Sequence, residues 1–376
     1  MKYYLVAGEA SGDLHGSNLM KQLKIADKEA EFRFFGGDLM QAEGGVLVKH
    51  YREMAFMGIV NVAINIRTIK KNMHTCENDI LGYQPDVLIL IDYPGFNLRM
   101  AEFAHRHNIR VFYYIAPKVW AWKEYRVKKI KAYVDELFII LPFETTYFQN
   151  HGIKPHYVGN PLLDAVAAFS DKPGKPDFRK KNKLDERPVV ALLSGSRTQE
   201  IRNMLPVMVE AVKDLPEFQF VVAGVNTVDQ HLYEKALQGT GVKLVFGQTY
   251  ELLESAYAAL VTSGTATLET ALFKVPQTVL YKMEGGWFTQ LIMKNFVLKV
   301  EWASLPNLIL NKQAIREFIQ TDLTVKNVRQ ELRNLLFNLE YRNTILEDYN
   351  KLAEIMGTPG TSEKAARKMV DLLLKK

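Results

Sequence analysis

Short apolar runs alternate with longer amphipathic ones along the first half of the chain. KYYLVA (2–7), FRFFGG (32–37), DVLILI (86–91), RVFYYIA (110–116) and ELFIIL (136–141) read as strands. Segments 13–25, 56–80, 97–107, 122–133 and 143–150 have the length and spacing of helices. Strands apolar on both faces and separated by helices predict a parallel sheet covered on each side. Residues 171–188, DKPGKPDFRKKNKLDERP, break the pattern and predict a linker or long exposed loop. The alternation then restarts with VVALLSG (189–195), a helix near 198–213, QFVVAGV (219–225), VKLVFG (242–247), AALVTSG (258–264), a helix near 265–273 and PQTVLYK (276–282). From 323 on the text is helical and charged, and Ser362 is placed to cap a last helix. The expected organisation is a Rossmann-like domain over 1–170, a linker over 171–188, a second Rossmann-like domain over 189–356, and a terminal helix, 357–376, packing back on the first domain. Open sheets of this kind take ligands at the carboxyl ends of their strands.

Composition adds constraints. A length of 376 residues suits two cores rather than one, and 48% hydrophobic with 24% charged residues is ordinary for a globular protein. A single cysteine, Cys76, excludes an internal disulfide framework and a cysteine-based zinc cluster. The N-terminus shows no signal-peptide pattern, and no apolar run reaches the roughly 18 residues of a membrane span. The formal charge of +6 suits anionic ligands or an anionic membrane surface and is too small to argue for nucleic acid.

Six segments carry candidate chemistry. SGTATLE (263–269) follows a strand and opens a helix. Its small residues Ser263, Gly264, Thr265, Ala266 and Thr267 let an anion approach the free N–H groups of the first turn, and Glu269 falls within reach of ribose hydroxyls. The same residues also suit a tight turn with a solvated Glu. SGSR (194–197) puts Arg197 where a guanidinium can fork onto a diphosphate. Asp92 ends an apolar strand in LIDYPGFN (90–97), well placed as a general base; it could instead cap the next helix, as could Asn97. APKVWAWKEYRVKKIKAY (116–133) sets Trp120 and Trp122 beside Lys123, Arg126, Lys128 and Lys129, a pattern that suits sugar and phosphate recognition and equally a snorkelling basic helix. Phe56, Met57, Ile59, Val60, Ala63, Ile66 and Ile69 form a broad apolar stripe flanked by Arg67, Lys70 and Lys71, which fits an interfacial membrane helix or a buried domain helix. The opening loop, GEASGDLHG (8–16), is glycine-punctuated like a nucleotide loop but also carries Glu9, Ser11, Asp13 and His15. No Asp-x-Asp, His-Glu-x-x-His, Walker or Gly-x-Ser-x-Gly motif is present, so no metal or other cofactor is expected.

Taken in order, GEASGDLHG, FFGGD (34–38), MGIVNV (57–62), PDVLILIDYPGFN (85–97), YYIAPKVWAWK (113–123), LPFE (141–144), YVGNPLLD (157–164), SGSR, SGTATLE and SLPN (304–307) resemble the lipid-A-disaccharide synthase family, glycosyltransferases of family 19. The resemblance implies a GT-B fold, two Rossmann-like doubly wound domains facing across a cleft. It implies inverting transfer of 2,3-diacylglucosamine from UDP-2,3-diacylglucosamine to 2,3-diacylglucosamine 1-phosphate, with UDP released, at the cytoplasmic surface of a Gram-negative inner membrane. The protein would be a peripheral monomer or homodimer. On that basis SGTATLE and Arg197 would hold UDP, Asn307 and Gln320 would complete the donor side, and Asp92 would be the base. The apolar stripe would meet acyl chains. Glu9, Ser11, Gly12, Asp13 and His15 would serve the acceptor, the donor phosphate or the support of the loop. Two departures stand out: Gly95 replaces a frequent second Asp, and Ser194 a frequent proline. Rival expectations are another GT-B enzyme on a UDP-aminosugar, such as a lipid-linked N-acetylglucosaminyl transferase or a UDP-GlcNAc 2-epimerase, and a non-catalytic nucleotide-sugar-binding protein of the membrane surface.

Overall fold

Seven parallel strands build the first sheet: β1 (Lys2–Ala7), β2 (Glu31–Gly36), β3 (Val46–His50), β4 (Val87–Ile91), β5 (Arg110–Tyr114), β6 (Glu136–Ile139) and β7 (His156–Tyr157). The computed structural model describes residues 1–54, 66–120, 124–282 and 302–375. The sheet order is β3-β2-β1-β4-β5-β6-β7, so successive strands run outward one way from β1 and the other way from β4. Register is fixed by apolar residues on both faces: Leu5 lies beside Phe34 and Ile89, and Ile89 beside Phe112. Two cores result, one on each face. One holds Tyr4, Leu88 and Tyr113, the other Leu5, Ile89 and Phe112.

The second sheet has six parallel strands: β8 (Val189–Leu193), β9 (Gln219–Gly224), β10 (Lys243–Phe246), β11 (Ala256–Thr262), β12 (Gln277–Tyr281) and β13 (Glu317–Ile319). Their order is β10-β9-β8-β11-β12-β13, the same outward winding from a central pair.

The chain divides into two compact units, Met1–Asp164 with Thr358–Lys376, and Ala165–Gly357. The expected linker 171–188 therefore lies inside the second unit. Its two large apolar residues explain why: Phe178 is buried against the β8 face with Val189 and Leu252, Leu184 packs partly buried on the same cluster, and Asp177 caps the short helix Phe178–Lys181. The last helix, Thr361–Leu374, is part of the first unit. Ala365, Ala366, Met369 and Val370 complete the core beneath β1, β4 and β5. Ser362 is not its cap. Gly360 holds that position with φ +99°, and the carboxylate of Asp164 accepts from the Gly360 N–H and, at 3.0 Å, from the Thr361 N–H. A remote carboxylate replaces the local hydroxyl.

Several helices start earlier or later than periodicity predicts. The helix Ala10–Ala26 begins three residues ahead of its first regular apolar position. Pro94–Arg106 starts at a proline, which suits the first turn because its missing N–H has no helical partner there. Asn97 is no cap: it is fully buried, and its amide donates to the carbonyls of Val6, Ile91 and Asp92. The helix expected at 122–133 spans Arg126–Tyr133, and that expected at 56–80 is described as Ile66–Tyr83.

Candidate active site

In each sheet the winding reverses between two adjacent strands, and the loops leaving their carboxyl ends part to form a crevice. In the first unit those loops follow β1 and β4. They are the GEASGD loop and the Asp92 turn.

Asp92 and Tyr93 both lie in the left-handed region, at φ 43° and 45°. Each such non-glycine residue costs roughly 1–2 kcal/mol, so the surroundings must hold them. The Asp92 N–H donates to Tyr114 O at 3.2 Å. Its carbonyl accepts from the Tyr113 hydroxyl at 2.6 Å and from Asn97 Nδ2 at 2.8 Å. The Tyr93 hydroxyl donates to Met54 O at 3.1 Å. Gly8 leaves room for the Tyr93 ring, since a Cβ there would sit 2.1 Å from Tyr93 Cδ1. With its main chain fixed, the Asp92 carboxyl is pushed up to about 6, by burial first and by the Glu9 carboxylate second, against the opposing pull of Lys118 and Arg126. A carboxylate tuned close to neutrality suits proton abstraction.

The other residues singled out in this loop separate into two groups. Glu9 is half-buried at the start of the helix, Ser11 is exposed, and a Cβ on the buried Gly12 would sit 3.2 Å from the Ala7 Cβ. Asp13 is buried and engaged within the fold, accepting from the N–H groups of Gly37 (2.8 Å), Met40 (3.0 Å) and Leu39 (3.1 Å). It ties the opening helix to the helix Asp38–Ala42, the supporting role among those expected of it. His15 is half-buried and its pKa is lowered to about 4 by burial, so it is neutral at pH 7. Ile69 is half-buried on the helix Ile66–Tyr83; Phe56, Met57, Ile59, Val60, Ala63, the side chain of Ile66, Trp122 and Lys123 lie outside the described residues.

A pair that sequence reasoning missed lies farther along the same edge. Glu144, in LPFE after β6, is 1% exposed and accepts from Trp120 Nε1 at 3.0 Å and from the Leu141 N–H at 3.2 Å. Burial pushes its carboxyl up to about 7. The motif itself was the only signal, because nothing local pairs it with Trp120.

In the second unit the central loops follow β8 and β11, which pair with Val261 beside Leu193. Ser194, Gly195, Ser196 and Arg197 leave one strand, and Ser263, Gly264 and Thr265 the other. Gly195 has φ +107°, and a Cβ there would meet Glu200 at 2.6 Å. That close approach lets Glu200 accept from the N–H groups of Ser196 and Arg197, while Arg197 Nη1 stands 3.6 Å from Glu200 and its side chain is 76% exposed. The helix Thr265–Leu272 begins with Gly264, around whose would-be Cβ nothing lies within 4 Å. Thr267 Oγ1 donates to Gly264 O at 2.7 Å, and Ser263 Oγ to Ala303 O at 2.9 Å. Ala266 packs against the adjoining core. Glu269 accepts from the Tyr250 hydroxyl at 2.8 Å, and burial raises its pKa.

Gln320 follows β13 on the same sheet edge with φ 53°, half-buried. Asn307 is different. It is fully buried; Nδ2 donates to Ile315 O and Glu317 Oε1, and Oδ1 accepts from the N–H groups of Ala314 and Ile315. Glu317 in turn accepts from Ala303 N–H, Ser304 N–H and Ser304 Oγ. Asn307 thus shapes the loop, with no hydrogen-bonding capacity left over for a donor.

A family model described as lipid-A-disaccharide synthetase matches residues 3–369. The chain belongs to this family. A lipid-A-disaccharide synthase of Syntrophus aciditrophicus (strain SB) is 36% identical, the match covering 99% of this chain and 97% of the relative. One from Myxococcus xanthus (strain DK1622) is 35% identical over 98% and 97%. Membership in the lipid-A-disaccharide synthase family makes the protein a glycosyltransferase of lipid A biosynthesis. Among solved structures, a UDP-GlcNAc 2-epimerase from Neisseria meningitidis bound to UDP-GlcNAc superposes with a TM-score of 0.67, at 14% identity and with all of both chains covered. The kitacinnamycin glycotransferase gives 0.65, at 13% identity over 99% and 98%. These likenesses show the GT-B fold; epimerases and transferases share it, and the family match separates them. Among the described residues no group of three or more His, Cys, Asp or Glu is placed to hold a metal ion, and no helix is long and apolar enough to cross a membrane.

Proposed function

We propose that this chain transfers 2,3-diacylglucosamine from UDP-2,3-diacylglucosamine to the 6-hydroxyl of 2,3-diacylglucosamine 1-phosphate, with inversion at C1. The observation that carries the reading is Asp92: a strained, held carboxylate at the crevice of the first unit, with its pKa pushed up to about 6. In the reaction Asp92 takes the proton from the acceptor oxygen. That oxygen forms the new bond to C1, and the C1–O bond to UDP breaks with its electron pair leaving on the diphosphate. The N–H groups opening the helix Thr265–Leu272, with the Arg197 guanidinium, stabilise the charge that develops there. Glu269 accepts from the ribose hydroxyls, and Gln320 lies on the donor side. That an epimerase of the same fold is bound to UDP-GlcNAc supports a UDP-sugar as donor. Both substrates carry acyl chains, so the enzyme works as a peripheral protein at the inner-membrane surface, with the 56–69 stripe as its acyl contact.

The test is incubation of the protein with both substrates in the presence of a metal chelator. UDP and disaccharide are expected from the wild type, and from Asp92→Asn at a rate lower by about 100-fold or more. Equal activity of the two proteins would remove Asp92 from the role. Comparable turnover of UDP-GlcNAc without acyl chains would overturn the substrate assignment.

A further inference from the structure

The acceptor named above brings a phosphate dianion close to Asp92 and Glu9, whose carboxylates repel it. Something cationic must offset that repulsion. The loop after β5 supplies it. β4 and β5 lie side by side with Ile91 opposite Tyr114, so this loop leaves the sheet beside the Asp92 turn. The Val119 N–H donates to Pro117 O at 2.6 Å, a tight turn that leaves Lys118 exposed between two buried neighbours. The turn is anchored by Trp120, hydrogen-bonded to Glu144 and packed edge-on against Phe143 at 4.9 Å. Arg126 opens the helix Arg126–Tyr133, which packs along Pro94–Arg106, the helix that starts just after Asp92. Both helices begin at the same edge. Farther along them Arg106 and Lys129 share Glu102. Lys118 and Arg126, by contrast, have no ion-pair partner among the described residues, and both act electrostatically on the Asp92 carboxyl.

We propose that Lys118 and Arg126 form the subsite for the acceptor's 1-phosphate. The inference rests on the acceptor reading above and deepens it. In a glucosamine 1-phosphate the attacking 6-hydroxyl and the phosphate lie on either side of the ring oxygen. A base on one therefore places the other about one pyranose ring away, and Lys118 and Arg126 are the cations that act on the Asp92 carboxyl from that edge. Arg126 presents a planar fork that matches two phosphate oxygens, and Lys118 a mobile point charge that follows the third.

The experiment is steady-state kinetics of Lys118→Ala, Arg126→Ala and Arg126→Lys. Two acceptors are compared: 2,3-diacylglucosamine 1-phosphate and the same sugar without its phosphate. Each alanine variant is expected to raise KM for the phosphorylated acceptor roughly tenfold or more. Donor KM should not change, and the phosphate-free acceptor should suffer no added loss. Arg126→Lys should recover part of the effect. An equal loss on the phosphate-free acceptor would overturn the subsite. So would a rise in donor KM, which would place the cations on the diphosphate. So would lost binding to phosphatidylglycerol vesicles at unchanged acceptor KM, which would make the ligand a lipid headgroup. Wild-type protein separates the two levels. No disaccharide from the phosphorylated pair defeats the functional reading, whereas equal kcat/KM on both acceptors defeats the subsite alone.

Discussion

The Tyr113 hydroxyl holds the main-chain carbonyl of Asp92 at 2.6 Å, reaching across from the neighbouring strand while Asn97 grips the same oxygen from the following helix. The backbone that carries the carboxylate is thereby restrained from two sides. Tyr113→Phe should therefore reduce kcat with little change in either KM, since it loosens the base without touching a substrate. A matching rise in KM would argue that Tyr113 binds substrate directly.

The acid limb of activity follows from the same carboxyl. As the proposed base Asp92 must be ionised to act, so kcat/KM should fall as pH drops through about 6. Glu9→Gln removes the second cause of the raised value and should move that limb to lower pH. An unmoved limb would assign the titration to another group. Asp92→Asn should lower kcat about 100- to 10,000-fold.

The same shift carries a stability cost with a definite sign. The folded pKa of Asp92 lies above its unfolded value, so folded protein binds the extra proton between about pH 4 and 6. Stability is lost as pH rises through that window and stays lost above it. Asp92→Asn should melt at a higher temperature than wild type at pH 8, and the gain should vanish near pH 4.

Gly195 is required by shape. Gly195→Ala places a Cβ against Glu200 at a backbone angle alanine resists, and should destabilise the protein by roughly 1–3 kcal/mol in urea titration. Donor KM should rise with it, because Glu200 then releases the loop that carries Arg197.

Asn307 and Gln320 should behave differently although both sit in the second unit. Asn307→Ala leaves the Ile315 N–H without its acceptor and Glu317 Oε1 one donor short, and should lower the urea midpoint strongly. Gln320→Ala should raise donor KM while the midpoint holds. A Gln320 variant that unfolds early would place it with Asn307 as a shaping residue.

The central strands were legible because apolar residues on both faces leave continuous runs such as VLILI, and these ends agree with the structure to within two or three residues. The edge strands β3, β7 and β13 escaped because they are short or half-exposed and break the run. The loops at both crevices were legible as glycine and small-residue breaks. What remained hidden was long-range: Asp13 reaching Gly37, Asn97 reaching Val6, Asp164 reaching Thr361, and Trp120 reaching Glu144. No local pattern encodes a partner so far along the chain. Asp13 and Asn307 therefore read as site groups from composition, while their hydrogen bonds make them parts of the scaffold.

The helix Thr361–Leu374 is translated after the whole second unit, yet it covers residues of β1, which precede that unit. On the ribosome the face of the first sheet around Leu5, Ile89 and Phe112 stays uncovered while the whole second unit emerges and folds. For that interval the nascent chain presents an apolar sheet surface of the kind chaperones engage. Emergence of that helix, rather than completion of the first 164 residues, is the moment at which the unit that carries Asp92 can close its core.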